Sequence, residues 1–376
     1  MKTRNKQGRQ SNEKPFRDRD FTGGGIYALP RFRGTTGDEE IDQRVHELVE
    51  DWNCGDKSDL IEELIVTSLG IGHDEIGPAE LKLMNRSLKE MREANRLFEP
   101  YGDHRKVVVY GSARTEPDRP EAIAAEEFSK RMLSHGFMTI TGAGDGIMGA
   151  AQRGAGRMNS FGLNIRLPFE QSANETILGD EKLITFNYFF TRKLTFAKES
   201  DAVALFPGGF GTMDECFEAL TLMQTGKATI YPIVMIDAPG GTYWKTFVTF
   251  LKEHLLRQEL ISPEDIDFIK ATDDLDEAVE EIVRFYRVFH SYRYVDDKMV
   301  IRLNQRISDL ELEQINEDFQ DLAASGRITQ AIALAEESNE TAIIDLPRLV
   351  FSPDRRRYGR LRRLIDRINS SETIEN

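Results

Sequence analysis

Only two cysteines, Cys54 and Cys216, occur in the 376 residues, which is too few for a disulfide framework. This scarcity is typical of proteins in a reducing compartment and predicts a cytoplasmic protein. The sequence also lacks any run approaching the ~18–20 apolar residues that a membrane span needs. Its first residues are polar and basic, without the apolar segment of a secretory signal. We therefore expect no membrane association.

The chain has no surplus of positive charge and no evident cluster of metal ligands. Lys and Arg number 49 against 64 Asp and Glu, which gives a net charge of -15. Such a chain repels phosphate backbones, so we expect no nucleic-acid partner. No Cys, His and Asp cluster accompanies His46 or His73, so no metal site is predicted.

Two fingerprints of nucleotide-binding folds are absent or incomplete. The P-loop pattern G-x-x-x-x-G-K-[ST] does not occur, which argues against a P-loop NTPase. Residues 142–149 contain G-x-G-x-x-G, but the next strand offers Asn164 and then Arg166. A dinucleotide fold needs an acid there to hold the ribose, so the pattern favours a mononucleotide over NAD.

Changes of pattern divide the chain into four segments. Residues 1–37 are largely polar and glycine-rich, which predicts a disordered tail and loop. Residues 38–103 carry apolar residues at helical spacing, which predicts a helical extension. Strand and helix patterns alternate over residues 104–290 and resume on a smaller scale over residues 291–376. These two segments are predicted to be a core and a small α/β module.

The core pattern predicts an α/β fold, a Rossmann-like parallel sheet with helices on both faces. Short apolar runs predict strands at residues 107–110, 137–141, 161–167, 183–186, 201–206 and 231–237. Helical periodicity predicts helices at residues 122–133, 191–198, 211–224, 243–256 and 275–290. Ligands on such sheets bind at the carboxyl ends of the strands.

Residues 207–215, P-G-G-F-G-T-M-D-E, lie on a turn from a strand to a helix. Glycines permit close backbone approach, and the helix start aims unpaired N–H groups at one point. This arrangement predicts a phosphate site, to which Thr212 adds a hydroxyl. We expect Asp214 and Glu215 in the first helical turn, where they either cap the helix or act on the sugar beside the phosphate.

Two further glycine turns should reach the same sheet edge. One contains Gly111 and Ser112, and the other spans residues 142–149. Arg192 and Lys193 lie near the start of a helix just upstream of the phosphate turn. Such a pair is either a solvated helix face or a source of positive charge at that edge.

This combination resembles the LONELY GUY (LOG) family of nucleoside 5'-monophosphate phosphoribohydrolases, which are often mislabelled lysine decarboxylases. Residues 207–215 match the family's P-G-G-x-G-T-x-x-E, and Arg192 with Lys193 matches its preceding R-K pair. The two other glycine turns match the family's earlier turns. The resemblance covers residues 104–290.

The resemblance implies a hydrolase without a cofactor that cleaves the N-glycosidic bond of a nucleoside 5'-monophosphate, AMP-like or cytokinin-type. The products would be a free base and ribose 5-phosphate, and the assembly a homodimer or higher homo-oligomer with shared active sites. By motif position, Arg192 and Glu215 correspond to the catalytic pair. The predicted substrate-binding residues are Gly111, Ser112, Gly142, Gly144, Gly146, Met148, Lys193, Gly208, Gly209, Phe210, Gly211, Thr212 and Asp214.

Two departures from the family pattern bear on the base pocket. Phe189, Phe190 and Thr191 stand where many short members have Met-His before the Arg, and Asp214 replaces the first acid of a Glu-Glu pair. A cytokinin-type base therefore does not follow from the resemblance. The segment 163–171, followed by Asn174, is more similar to longer bacterial members.

Two other functions compete with hydrolysis. A non-catalytic nucleotide-binding sensor would need only the phosphate turn, so the presence of both Arg192 and Glu215 favours the enzyme. A pyridoxal-dependent lysine decarboxylase would need a Schiff-base lysine with an acid for the ring nitrogen, and no such pair is marked out.

The small C-terminal module contains an arginine cluster. We favour a solvated helix face that offsets the acidic core, and the alternative is an anion or nucleotide effector site. Predicted strands span residues 299–303, 328–334 and 348–351, and predicted helices span 309–322 and 360–368. The cluster consists of Arg355, Arg356, Arg357, Arg360, Arg362 and Arg363.

Overall fold

A computed structural model describes residues 34–168, 172–338 and 340–374 of the chain. Most of the predicted disordered segment, and residues 169–171 of the segment similar to longer bacterial members, lie outside these ranges. The described residues form two compact units that meet in sequence between Arg92 and Glu93.

Helices precede the first strand, as the apolar spacing predicts. They are α1 (Glu39–Trp52), α2 (Ser58–Ile71) and α3 (Pro78–Phe98). Asp38 begins α1 because its carboxylate accepts the N–H groups of Glu40 and Ile41. Pro78 takes the first position of α3, where a helix leaves the N–H unpaired in any case.

Seven strands form the central sheet. They are β1 (Lys106–Tyr110), β2 (Met138–Thr141), β3 (Ser160–Ile165), β4 (Leu183–Phe186), β5 (Ala202–Leu205), β6 (Ile233–Ile236) and β7 (Ile269–Thr272). Their spatial order is β4-β3-β2-β1-β5-β6-β7, and all pairs are parallel. The sequence predicts six of these strands, and β7 has no counterpart in that prediction.

Helices cover both faces of this sheet. They are α4 (Pro120–Ser134), α5 (Ile147–Ala155), α6 (Phe189–Glu199), α7 (Phe210–Gln224), α8 (Tyr243–Phe250), which continues as a π-helix over Leu251–Leu256, and α9 (Leu275–Phe285). Val109 of β1 packs in one apolar cluster with Phe128 of α4. Its neighbour Val108 packs in another with Phe196 of α6. This alternation confirms the predicted fold class.

A second, antiparallel sheet follows the core. Its elements are β8 (Phe289–Val295), β9 (Lys298–Leu303), β11 (Ala323–Ala331) and β12 (Arg348–Pro353), with α10 (Asp309–Asp318), α11 (Tyr358–Ser370) and a short pair of strands β10 (Arg306–Ile307) and β13 (Thr373–Ile374). The sheet order is β11-β12-β9-β8. The helix predicted to end at residue 290 ends at Phe285, because the side chain of Asn369 accepts the N–H groups of Val288 and Phe289.

The two sheets share one apolar cluster. It joins Leu205 of the central sheet to Ile301 and Leu349 of the second sheet and to Leu364 of α11. All four side chains are fully buried. The second sheet therefore packs as part of the unit that holds the core.

The arginine cluster near α11 is engaged by carboxylates and by the backbone. Arg362 is almost fully buried and pairs with Glu281 and Asp366. The other pairs are Arg356 with Asp354, Arg357 and Arg360 with Asp321, and Arg363 with Asp267, while Arg355 donates to the carbonyl of Asp296. These contacts agree with arginines that offset acidic residues, but the burial of Arg362 contradicts the expectation of a solvated helix face.

Candidate functional site

A cleft of about 900 Å³ opens at the carboxyl ends of the central strands. It lies where the spatial order passes from β1 to β5, so the loops after these two strands run to opposite sides. The two loops are tied together because the N–H of Ser112 donates to the carbonyl of Pro207 at 3.1 Å. The cleft therefore occupies the position at which this type of sheet binds ligands.

The phosphate turn forms one end of the cleft. Helix α7 begins at Phe210 with Gly209 as its N-cap, and no side chain caps it. The first N–H groups of a helix have no partner within it, so they are available to a ligand. Gly208 is required because a Cβ at this position would collide with the side chain of Thr212. The hydroxyl of Tyr243 donates to the Gly208 carbonyl at 2.6 Å and helps to hold the turn in place.

Asp214 and Glu215 lie one turn later than the sequence suggests. Because α7 begins at Phe210, they are its fifth and sixth residues, and neither caps the helix. Side chains on a helix lean towards its N-terminus, so both carboxylates still reach the cleft, and both line it. The expectation that they lie in the first turn is therefore wrong, and capping does not explain them.

Glu215 is a buried carboxyl. Burial raises its pKa to about 7, and the negative charges of Glu218 and Asp214 add to this rise. The positive charges of Arg192 and Lys193 act in the opposite direction. Burial outweighs these charges, so the net shift of the Glu215 pKa is upward. The result is a carboxyl that titrates near neutral pH in a cleft.

Arg192 is fixed in place from two sides. Its Nε donates to the carbonyl of Leu163 at 2.7 Å, and its guanidinium lies 5.2 Å from the ring centre of Phe196. A Cβ on Gly142 would collide with this guanidinium, so the glycine makes room for it. Burial lowers the pKa of Arg192, while the charge of Glu215 raises it. An arginine remains charged under these conditions.

Lys193 does not line the cleft, and it pairs with two acids of α7. Its ammonium lies 2.8 Å from Asp214 and 3.2 Å from Glu218. It thereby ties α6 to α7 and leaves Glu215 as the buried carboxyl of the site.

The structure brings most of the predicted residues together. The cleft is lined by Gly111, Ser112, Gly142, Met148, Arg192, Gly208, Gly209, Phe210, Gly211, Thr212, Asp214 and Glu215. Gly144, Gly146 and Lys193 lie outside this lining. Gly146 adopts a φ of 63°, and a Cβ there would collide with the Ser112 carbonyl, so it supports the neighbouring turn. The Gly144 carbonyl accepts the side-chain amide of Asn174 at 2.9 Å.

Sequence reasoning missed several residues of the lining. They are Tyr110, Ala113, Arg114, Asn164, Ile165, Met213 and Tyr243, while Phe189, which the sequence connects with the base pocket, also lines the cleft. Several of them end a strand or begin a helix next to the cleft, and that position is the available signal. Tyr243 begins α8, 28 residues after Glu215, so no motif connects it to the phosphate turn.

The described residues contain neither a cluster of metal ligands nor a helix that could span a membrane. No group of three or more His, Cys, Asp or Glu side chains there could hold a metal ion. Among the same residues, every helix is too short or too polar to cross a membrane.

Known proteins are similar to the part of the chain that forms the cleft. Residues 148–282 match a family model described as possible lysine decarboxylase. A probable cytokinin riboside 5'-monophosphate phosphoribohydrolase of Oryza sativa subsp. japonica is 27% identical over 164 residues, which are 42% of this chain and 63% of that protein. A cytokinin riboside 5'-monophosphate phosphoribohydrolase of Arabidopsis thaliana is 23% identical over 165 residues, which cover 43% and 74%.

The matched region contains Arg192 and the phosphate turn. The α/β core is therefore similar to the LOG family of phosphoribohydrolases. The chain spans less than two thirds of the length of the rice relative. These matches cover less than half of the chain, so the N-terminal helices and the second sheet lie largely outside the similarity.

Solved structures are also similar to this α/β core. The molybdenum cofactor carrier protein of Chlamydomonas reinhardtii is 20% identical and has a TM-score of 0.33, with 47% of this chain and 94% of that chain covered. A molybdenum cofactor binding protein of Rippkaea orientalis is 20% identical with a TM-score of 0.30, and the coverage is 46% and 91%.

Proposed function

We propose that the cleft hydrolyses the N-glycosidic bond of a nucleoside 5'-monophosphate to a free base and ribose 5-phosphate. The observation that carries this proposal is the position of Glu215, a buried carboxyl in the same cleft as a turn of backbone donors. The names of the curated relatives support the same reaction class. A 5'-phosphate on the turn places the attached ribose next to Glu215.

The phosphate is proposed to bind at the start of α7. The N–H groups of Phe210, Gly211 and Thr212 and the positive end of the helix dipole suit an anion. Thr212 adds its hydroxyl. A nucleoside without the phosphate would lose several charge-assisted hydrogen bonds, each contributing about 1.5–3 kcal/mol.

The chemistry rests on the ionised form of Glu215. Cleavage of a nucleotide C–N bond develops positive charge on the sugar, as glycoside hydrolysis does. The carboxylate stabilises this charge and accepts a proton from the water that attacks the anomeric carbon. A pKa near 7 suits such a base at neutral pH. In the net reaction, the nucleobase leaves with one added proton.

Arg192 is proposed to bind the phosphate or the ribose. Its contact with the Leu163 carbonyl fixes the guanidinium before the ligand arrives, so little ordering remains to be done on binding. We also propose that the small-molecule ligand is a nucleotide, that the protein forms a homo-oligomer and that it is located in the cytoplasm.

The test is to incubate the full-length protein with a panel of nucleoside 5'-monophosphates and the matching nucleosides, and to measure the release of ribose 5-phosphate and of free base. We expect turnover of monophosphates and little turnover of nucleosides. Equal rates for a nucleotide and its nucleoside would contradict the phosphate site. Binding of nucleotides without release of either product would indicate a nucleotide sensor instead.

A further inference from the structure

The spacing of the strands gives the length of the ligand that the cleft can hold. The phosphate turn follows β5, and the cleft extends from there past the ends of β1 and β2 to Asn164 on β3. Adjacent strands lie about 4.8 Å apart, so three spacings span roughly 14 Å. This distance is comparable to the length of a mononucleotide. With the phosphate at β5, the base therefore lies over the ends of β2 and β3.

The wall at the β2 and β3 end is apolar with one amide. Met148, Ile165 and Phe189 supply apolar surface, and the ring of Phe189 is about half exposed. An exposed ring at a cleft wall suits stacking against a base. Asn164 supplies the amide, and Arg192 lies beside it because its Nε bonds to the carbonyl of Leu163.

The orientation of the Asn164 amide follows from its backbone neighbour. The N–H of Ile165 donates to the side-chain oxygen of Asn164 at 2.9 Å. A donor faces this position, so it must be the oxygen and not the nitrogen that lies there. The NH₂ group is therefore turned away from the backbone contact, in a residue that lines the cleft. The side chain of Asn164 thus presents a donor at this wall.

We propose that Asn164 makes the site selective for 6-oxopurine nucleotides over 6-aminopurine nucleotides, an inference that rests on the proposed nucleotide function. The 6-oxopurine edge offers two acceptors, O6 and N7, whereas adenine offers N7 and a donor at N6. Asparagine reads adenine with its oxygen and nitrogen together. Here the bond from the Ile165 N–H holds the side-chain oxygen at the backbone, so the two ends of the amide do not face one base together, and the nitrogen matches a carbonyl.

The experiment compares inosine 5'-monophosphate with AMP, which differ in their functional group at C6 and the protonation of N1. For the wild-type protein we expect kcat/KM to be about tenfold higher for inosine monophosphate, the effect of one hydrogen bond. Asn164→Asp keeps an oxygen for the Ile165 N–H and replaces the cleft-facing donor by an acceptor. This variant should lower the ratio at least tenfold, towards or past equal use of the two nucleotides. Asn164→Ala should bring the ratio near one.

The ratio of two substrates on one sample is independent of the folded fraction, so a destabilised variant remains informative. An AMP preference in the wild type, or a ratio unchanged in Asn164→Asp, would overturn the proposal. Calorimetric affinities for the same two nucleotides test the role of Asn164 independently of turnover. If no nucleotide is hydrolysed, the proposed function fails, and the affinity ratio in the wild type and in Asn164→Asp still confirms or contradicts the role of Asn164.

Discussion

Glu215 and Asp214 are neighbours in sequence with different surroundings. Glu215 is buried, whereas Asp214 is exposed and paired with Lys193. We expect Glu215→Gln to lower turnover by about a hundredfold or more, as the loss of a preorganised charged group does. Nucleotide affinity should change little, because the turn supplies the phosphate contacts.

The matched variant is Asp214→Asn, which removes one charge from the same helix and should retain most of the turnover. Both variants are compared by steady-state kinetics and by nucleotide affinity. A large loss in Asp214→Asn together with a small loss in Glu215→Gln would reverse the roles of the two acids.

The pH dependence follows from the direction of the Glu215 shift. Its pKa rises from 4.5 to about 7 on folding, so the folded state keeps the proton longer than the unfolded state. Activity that needs the carboxylate should rise with pH through about 7. Stability should change in the opposite sense and fall as pH rises from about 4.5 to 7.

Glu215→Gln removes both effects. Urea unfolding at pH 8 should therefore show the variant to be more stable than the wild type, by about 3 kcal/mol at most, whereas at pH 4 the two should agree. A wild-type activity that is flat between pH 5 and 8 would contradict this assignment of the titrating group.

At the scale of elements, α8 braces the phosphate turn. Asp237, at the end of β6, accepts the N–H of Trp244 at 2.9 Å and so fixes the start of α8. Tyr243 then donates to the Gly208 carbonyl. We expect Tyr243→Phe to lower kcat/KM by about tenfold, since one hydrogen bond contributes about 1 kcal/mol and the turn loses its position.

Tyr188→Phe is the control for the Tyr243 variant. Tyr188 lies next to α6, its ring stacks on Phe190, and its side chain does not line the cleft. This change should leave kcat/KM within about twofold, in the range of ordinary surface substitutions. If the two variants behaved alike, the contact to Gly208 would have no special role. Thermal unfolding of both proteins separates a local effect from a loss of fold.

The sequence predicts those elements whose local pattern agrees with their tertiary environment. Strands such as β1 and β5 are buried on both sides and are therefore continuous apolar runs with glycine turns after them. Strand β7 is half-buried and includes Lys270, so its four residues lack that signal. The sequence does not predict strand β8, because apolar residues continue the helical spacing of α9 up to residue 290. In the structure, the side chain of Asn369, about eighty residues later, accepts the N–H groups of Val288 and Phe289, and the helix ends before them.

The candidate site likewise combines residues that local motifs predict with residues that only the folded structure brings together. The phosphate turn and Arg192 lie in local motifs, and the structure places them in one cleft. Asn164 and Tyr243 reach that cleft through the order of the strands, which no local pattern contains. The pKa of Glu215 depends on how far the surrounding helices bury it, and burial is a property of the packed structure.

At the scale of the whole molecule, the two sheets should unfold together. Leu364 of α11 is fully buried in the cluster that both sheets share. Leu364→Ala should lower the free energy of unfolding by about 2–5 kcal/mol. Leu310→Ala changes a leucine that is 70% exposed and should have an effect within about 0.5 kcal/mol.

Urea unfolding followed by circular dichroism and by nucleotide turnover provides the measurement for the Leu364 variant. We expect the two signals to change at the same urea concentration. Two separate transitions, with turnover surviving the loss of the second sheet, would show that the sheets are independent.

The shared cluster has a consequence for how the protein is made. A chain leaves the ribosome from its first residue, so β1 and β5 emerge long before α11. The apolar surface that Leu361, Leu364 and Ile365 cover stays open during that interval. We therefore expect the central sheet to complete its folding only after α11 has left the ribosome, and the nascent chain to be a substrate for chaperones until then.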